Sequence, residues 1–206
     1  MSETPSELVL ALFGVQQSKV AAFAALLEAE GSIRGLIGPR ETDRIWSRHI
    51  VNSAAVLPFL PRSGSVADVG SGAGLPGMVI ACARPDLQVF LIEPMERRCE
   101  WLRYASGELG LTNVTVIRDR AENLDKNFKV NAVTARAVRK LSQLVELTAP
   151  LLDKQGCLLA LKGQRAGQEV REAHRELNKF KLTPRVHEVV SVMDGEVTYV
   201  VECCRK

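Results

Sequence analysis

Hydrophobic positions change their rhythm once along this chain. Up to about residue 60 they recur at helical intervals: Leu8, Leu12 and Val15, then the run from Val20 to Leu27 on strong helix formers. Gly31, Gly35 and Gly38-Pro39 punctuate a loop, and a further helix is predicted over 41–57, ending before Pro58. From Ser65 short apolar runs alternate with helical periodicity. Strands are predicted over 65–69, 88–93, 114–118, 130–135, 156–162, 185–192 and 197–203, and helices over 76–83, 96–109, 140–151 and 168–177. That alternation calls for an α/β fold whose mostly parallel sheet is wrapped on both faces. Residues 1–60 then form a helical cap on an α/β domain of residues 61–206, the whole being one compact unit.

The last two predicted strands break the alternation. They are joined by Met193-Asp194-Gly195-Glu196, where Asp-Gly between β-branched runs signals a tight hairpin. No crossover helix fits, so the final strand is antiparallel in a seven-stranded sheet.

The richest segment is Val66-Ala67-Asp68-Val69-Gly70-Ser71-Gly72-Ala73-Gly74-Leu75-Pro76-Gly77, an apolar strand ending in glycines and passing at once into a helix. Bare backbone lets a ligand press against the turn, and the helix start offers unpaired N–H groups and a partial positive charge. Pro76 suits the first helical position, where its missing N–H has no intrahelical partner. Gly72-x-Gly74-x-x-Gly77 fits the dinucleotide fingerprint, while Gly70-x-Gly72-x-Gly74 fits that for S-adenosylmethionine (SAM). The terminal hairpin favours SAM. Rossmann-type class I SAM-dependent methyltransferases carry a reversed final strand, and nicotinamide-binding Rossmann domains normally lack one.

Composition sets outer limits. The chain has 206 residues, 46% hydrophobic and 25% charged, enough for one domain with a real core. A net charge of +3 is too mild to establish nucleic-acid binding, so the placement of the charges must decide it. Met1 to Pro5 lacks the basic start of a secretion signal, and the apolar run from Val20 is too short to span a bilayer. Cys82, Cys99, Cys157, Cys203 and Cys204 show no C-x-x-C spacing and read as reduced thiols, with neither a disulfide frame nor a zinc site. His49, His174 and His187 lack metal-ligand spacing. A cytoplasmic monomer without membrane association or metal is expected.

Ligands in such sheets sit at the carboxyl ends of the strands, so the residues following each strand are the candidates. After the first come Gly70, Gly72 and Leu75; the second ends in Glu93, about 20 residues on, where an acid accepts ribose hydroxyls. The third is followed by Arg118-Asp119-Arg120-Ala121-Glu122, a turn that in methyltransferases cups the adenine and that otherwise reads as a solvated charged loop; Ala121 and Glu122 are the candidates. Arg136-Ala137-Val138-Arg139-Lys140 follows the fourth and Lys162-Gly163-Gln164-Arg165 the fifth, two basic clusters suited to a carboxylate or to RNA phosphates. In the cap, Arg34, Arg40, Arg44, Arg48 and His49 add charge, and Arg40, Arg44 and Arg48 share one face of the predicted helix. Trp46 reads as core.

Gly35-Leu36-Ile37-Gly38-Pro39-Arg40, Arg48-His49-Ile50-Val51-Asn52-Ser53, the glycine segment, Arg136-Ala137 and Ala160-Leu161-Lys162-Gly163 together resemble the RsmG (GidB) family. Its members methylate bacterial small-subunit rRNA, and the likeness covers nearly the whole chain. The resemblance implies SAM as cofactor and 16S rRNA, or a precursor of the small ribosomal subunit, as partner. It implies 7-methylguanosine in the 530 loop as product. By the same resemblance Gly70, Gly72 and Leu75 line the methionine side, Glu93 the ribose, Ala121 and Glu122 the adenine, and Arg136 the pocket between cofactor and substrate. Arg48, His49, Arg139, Lys162 and Arg165 would meet RNA, and no residue would act as acid or base. Asn52 and Ala135 depart from the Asp and Ser frequent in the family. Three rival functions remain at this point: an NAD(P)-dependent oxidoreductase, a non-catalytic SAM- or rRNA-binding assembly factor, and a small-molecule methyltransferase, which the basic cap disfavours.

Overall fold

Alternation within single strands decides which helices each face of the sheet receives. The computed structural model describes residues 3–136 and 139–205, so Ala137 and Val138 of the fourth-strand cluster lie outside the described residues. Among those described, β1 (Gly64–Val69), β2 (Leu87–Ile92), β3 (Val114–Ile117), β4 (Val130–Arg136), β5 (Leu152–Lys162), β6 (Leu182–Val190) and β7 (Val197–Arg205) form one sheet in the order β3-β2-β1-β4-β5-β7-β6. Strands β1 to β5 run parallel. Strand β7 lies antiparallel to both β5 and β6, as the hairpin requires. The chain order reverses between β1 and β4, the place where such sheets open a crevice.

The helices are α1 (Glu7–Ala11), α2 (Gln17–Glu30), α3 (Asn52–Ala54), α4 (Gly77–Ala83), α5 (Glu96–Glu108), α6 (Leu141–Thr148), α7 (Ala166–Glu172) and α8 (His174–Lys179). In β5, Leu159 and Leu161 join one core with the cap, α4 and α5, while Leu158 and Ala160 join a second with α6 to α8. The first core runs without a break from Val9 and Phe23 of the cap through Ile50 and Val56 to Met78 and Trp101. The cap thus shares its hydrophobic interior with one face of the sheet.

Several expectations shift in detail. Leu8, Leu12 and Val15 are exposed and the buried stripe is Val9 and Phe13, because Gly14 at φ +51° ends the helical path. The helix expected over 41–57 is a 3-10 segment (Pro39–Arg44), a π-helical segment (Ile45–Val51) and the short α3. The wider π turn buries Ile45, Trp46, Ser47, His49, Ile50 and Val51 together. It also removes the regular 3.6-residue repeat that would align Arg40, Arg44 and Arg48. Each of the latter two has an acidic partner: Arg44 pairs with Glu196 at 3.0 Å and Arg48 with Glu41 at 3.1 Å. Pro76 stands one residue before α4, after a cis bond from Leu75. The hairpin loop spans residues 191–196, longer than a tight turn, and is closed by Ser191 N–H donating to Glu196 C=O.

The cysteine reading needs correction. Cys157 and Cys204 are directly opposed on β5 and β7 and are joined as a disulfide. Their separation of 47 residues leaves no local spacing signal. Cys82, Cys99 and Cys203 are free and buried, as expected of core thiols. Among the described residues no helix is long and apolar enough to cross a membrane.

Gly77 shows how closely α4 approaches the sheet. A Cβ there would stand 2.3 Å from Leu91 Cδ2 and 2.6 Å from the Asp68 carboxylate. Gly77→Ala should therefore cost about 1–3 kcal/mol through overpacking, read as a lower urea midpoint at unchanged m-value.

Candidate functional site

The turn after β1 is held from three sides. Gly70 and Ser71 N–H donate to Ile92 C=O, the Trp101 indole N–H donates to Ala73 C=O, and Gly77 N–H donates to the Asp68 carboxylate at 3.0 Å. Asp68 is buried at the sheet's end, and burial raises its pKa to about 6 against the opposing pull of the Gly77 N–H. A carboxylate in an otherwise apolar strand is a visible sequence signal, yet inspection of strand ends alone passes over it.

Glu93 is 2% exposed, and its two oxygens accept from Gly72 N–H at 3.0 Å and Met95 N–H at 2.9 Å. Each oxygen keeps a further lone pair. Arg98, on α5, stands 3.6 Å from the same carboxylate. Arg98 escaped the sequence reading because it follows no strand directly. Gly72 has φ +54°, and a Cβ there would make only ordinary contacts with Gly70 C=O and Arg98. Its requirement for glycine is thus the left-handed backbone conformation that presents its N–H to Glu93.

A cavity of about 460 Å³ opens over this turn, lined by Gly70, Glu93, Arg98, Ala121, Glu122, Arg136 and Arg139 among others. Such a volume suits a small-molecule cofactor. Five of the seven expected cofactor residues are in its wall. Gly72 acts through Glu93, and Leu75 points instead into the core, where it is 5% exposed.

A second cavity of about 660 Å³ lies between the cap and the β6–β7 hairpin. Glu41, Arg48, His49, Asn52, Arg136 and Lys162 line it, together with apolar residues of the cap (Ala54, Ala55 and Leu57) and of the hairpin (Val189, Val190 and Val197). Arg136 lines both cavities. Its guanidinium donates to Arg48 C=O at 3.1 Å and Asn52 Oδ1 at 3.3 Å, and meets His49 Nδ1 at 3.1 Å. Burial pushes its pKa below the usual arginine value, and the Asp68 and Glu41 carboxylates oppose that shift. Asn52 continues the link by donating to Thr198 Oγ1 on β7 at 2.6 Å.

His49 is 4% exposed, and burial, then the nearby Arg136 charge, lower its pKa to about 4. Neutral near pH 7, it accepts from Arg136 at Nδ1 and directs Nε2 toward Glu41, 4.0 Å away. The Gly38 N–H, with the nearby Arg48 and Arg136 charges, holds the Glu41 carboxyl below the usual carboxylate range. Glu41 and Asn52 lie in the irregular cap, beyond what strand-end reasoning reaches.

The expected RNA-facing residues divide. Arg48 and His49 line the larger cavity and Arg139 the smaller. The Lys162 ammonium is mostly covered and bridges Arg139 C=O at 2.6 Å to Glu169 at 2.9 Å, so it braces the loop after β4. Arg165 is exposed ahead of α7 and lines neither of these cavities.

Residues 16–196 match the family described as rRNA small subunit methyltransferase G. The chain is 56% identical over 181 residues to the ribosomal RNA small subunit methyltransferase G of Beutenbergia cavernae, covering 87% of this chain and 85% of that protein. Against its counterpart from Leifsonia xyli the identity is 50% over 193 residues, with 92% and 91% covered. Among solved structures, a SAM-dependent methyltransferase from Aquifex aeolicus shares the fold at TM-score 0.56 and 18% identity, over 75% of this chain and 89% of that one. The M. jannaschii TYW2 structure in complex with AdoMet shares it at TM-score 0.58 and 17% identity, over 77% and 76%.

His49 makes the site's electrostatics measurable. With a pKa of about 4 folded, against about 6.5 unfolded, the unfolded chain binds more protons in that window, so this contribution falls as pH drops. Between pH 7 and pH 5 the wild type should lose about 2 kcal/mol relative to His49→Gln, compared by urea unfolding. The opposing contribution of Asp68 is present in both proteins and cancels.

Proposed function

The chain belongs to the rRNA small subunit methyltransferase G family, and we propose that it transfers a methyl group from SAM to N7 of a guanine in the 530 loop of 16S rRNA. The observation that carries this reading is the shared wall. One half-buried arginine, Arg136, borders both a cofactor-sized cavity at the sheet's carboxyl edge and a larger cleft under the cap.

The residues of the smaller cavity fit SAM. Glu93 retains acceptor capacity for two ribose hydroxyls, and its carboxylate is fixed by two backbone N–H groups. Ala121 and Glu122 supply a wall at the base-binding end, and the bare backbone at Gly70 leaves room for the amino-acid end. Bound SAM supplies an electrophilic methyl carbon on a positively charged sulfur.

Guanine N7 offers a lone pair and no proton, so the protein's work is alignment. Holding nucleophile, carbon and sulfur in line is worth roughly 7–11 kcal/mol of barrier in favourable cases. Arg136 is suited to that work because its position is set by three separate cap groups and it cannot rotate freely. His49, held neutral, adds no second positive charge beside the cationic donor. Asn52 ties the arrangement to β7, so cap and hairpin hold the cleft at fixed width.

Incubation with labelled SAM and undermethylated 16S rRNA, followed by nucleoside analysis, tests the reading; label in 7-methylguanosine is expected. Label in another nucleoside would remove the N7 assignment, and RNA binding without transfer would make the protein an assembly factor. Arg136→Lys keeps the charge and loses the planar fork, and kcat/KM should fall about 100-fold. Arg139→Ala should reduce the slope of log affinity for rRNA against log salt by about one, and an unchanged slope would take Arg139 off the RNA face.

A further inference from the structure

The disulfide lies in a setting that the methyl-transfer site does not use. Cys157 is five positions before Lys162 on β5, roughly 16 Å from the strand's carboxyl end at the strand rise. Cys204 faces it on β7, and Glu202, two residues earlier, projects from the same side of that strand. Its carboxylate lies 3.6 Å from the Cys204 sulfur at Oε1 and 2.9 Å from His187 Nε2 at Oε2. His187 comes from β6, and its ring packs on Phe59 with centroids 4.3 Å apart. Three strands therefore converge on two sulfurs, a carboxylate and an imidazole, all half-buried.

The two sulfurs and the Glu202 carboxylate oxygen lie within 4.8 Å of one another. Ligands about 2.0–2.3 Å from a tetrahedral Zn²⁺ stand roughly 3.5 Å apart, so small side-chain rotations reach that geometry once the sulfurs are no longer bonded. Thiolates select a soft or borderline cation over Mg²⁺ or Ca²⁺. A carboxylate ligand is oriented by an outer hydrogen-bond partner, the position His187 already occupies.

We propose that in the reduced protein Cys157, Cys204 and Glu202 bind one thiophilic divalent cation of the Zn²⁺ class, with His187 orienting Glu202. Binding forms two metal–sulfur bonds and one metal–oxygen bond, water taking the fourth position, and the two thiol protons pass to solvent. Metal and disulfide exclude each other, because the oxidised pair has no thiolate to offer. A phosphine reductant opens the site by cleaving the S–S bond. Phosphorus is oxidised to the phosphine oxide with oxygen from water, and each sulfur gains a hydrogen.

The test uses the full chain, reduced with a phosphine, stripped by a chelator and shown by thiol titration to carry all five cysteines free. Titration with Co²⁺ should give a sulfur-to-metal charge-transfer band and intense tetrahedral visible bands saturating at one equivalent, both erased by Zn²⁺. Cys157→Ser and Cys204→Ser should each abolish the bands, and Cys203→Ala should keep them. His187→Ala should weaken Zn²⁺ binding 10- to 100-fold in chelator competition. No charge-transfer band from the fully reduced wild type, or a band surviving in Cys204→Ser, would overturn the proposal. Neither outcome bears on methyl transfer, whose residues stand at the other end of the strands.

Discussion

A half-buried guanidinium at the end of β4 holds this structure's working parts in register. Arg136 leaves the sheet where the strand order reverses, and its hydrogen bonds go to the cap at Arg48 C=O, Asn52 and His49. Even partial burial of an arginine is unfavourable unless its donors are satisfied and opposite charge is close. Here the cap supplies the acceptors, while Asp68 and Glu41 supply the charge. The irregular cap follows from the same demand. A π-helical turn at Ile45–Val51 brings His49 inward along with Ile45, Trp46 and Ile50, so one short segment both fills the core and meets the arginine.

Two cavities on either side of that residue give the fold its chemical sense. Rossmann-type sheets present ligands at their carboxyl edge, and the smaller cavity lies there. The larger exists because the cap is continuous with the core on one side and bonded to the β6–β7 pair on the other, through Asn52–Thr198 and Arg44–Glu196. The acids Asp194 and Glu196 of the hairpin, which also line it, pair with Arg44 of the cap.

Much of this was legible in the sequence. Strand periodicity located the sheet, Asp194-Gly195 located the reversed strand, and strand ends located Gly70, Glu93, Ala121, Glu122 and Arg136 in one wall. What escaped depends on tertiary contacts and irregular backbone, which neither a repeat nor a motif records. Periodicity put Arg44 and Arg48 on a shared basic face, whereas tertiary contacts give them Glu196 and Glu41. The basic cluster after β5 placed Lys162 toward RNA; the residue lines the cap cleft, and Glu169, one helix turn into α7, holds its ammonium. Arg98 and Glu41 answer to Glu93 and His49 across gaps no local motif records. Cys157 and Cys204 pair by sheet register, which a spacing rule does not see.

A crystal structure of the protein with S-adenosylhomocysteine tests the central claim most directly. The account predicts density in the 460 Å³ cavity, ribose hydroxyls on Glu93, and the sulfur directed past Arg136 toward the cap cleft. Ligand seated in the cap cleft itself, or ribose away from Glu93 with Arg136 remote from the sulfur, would contradict it.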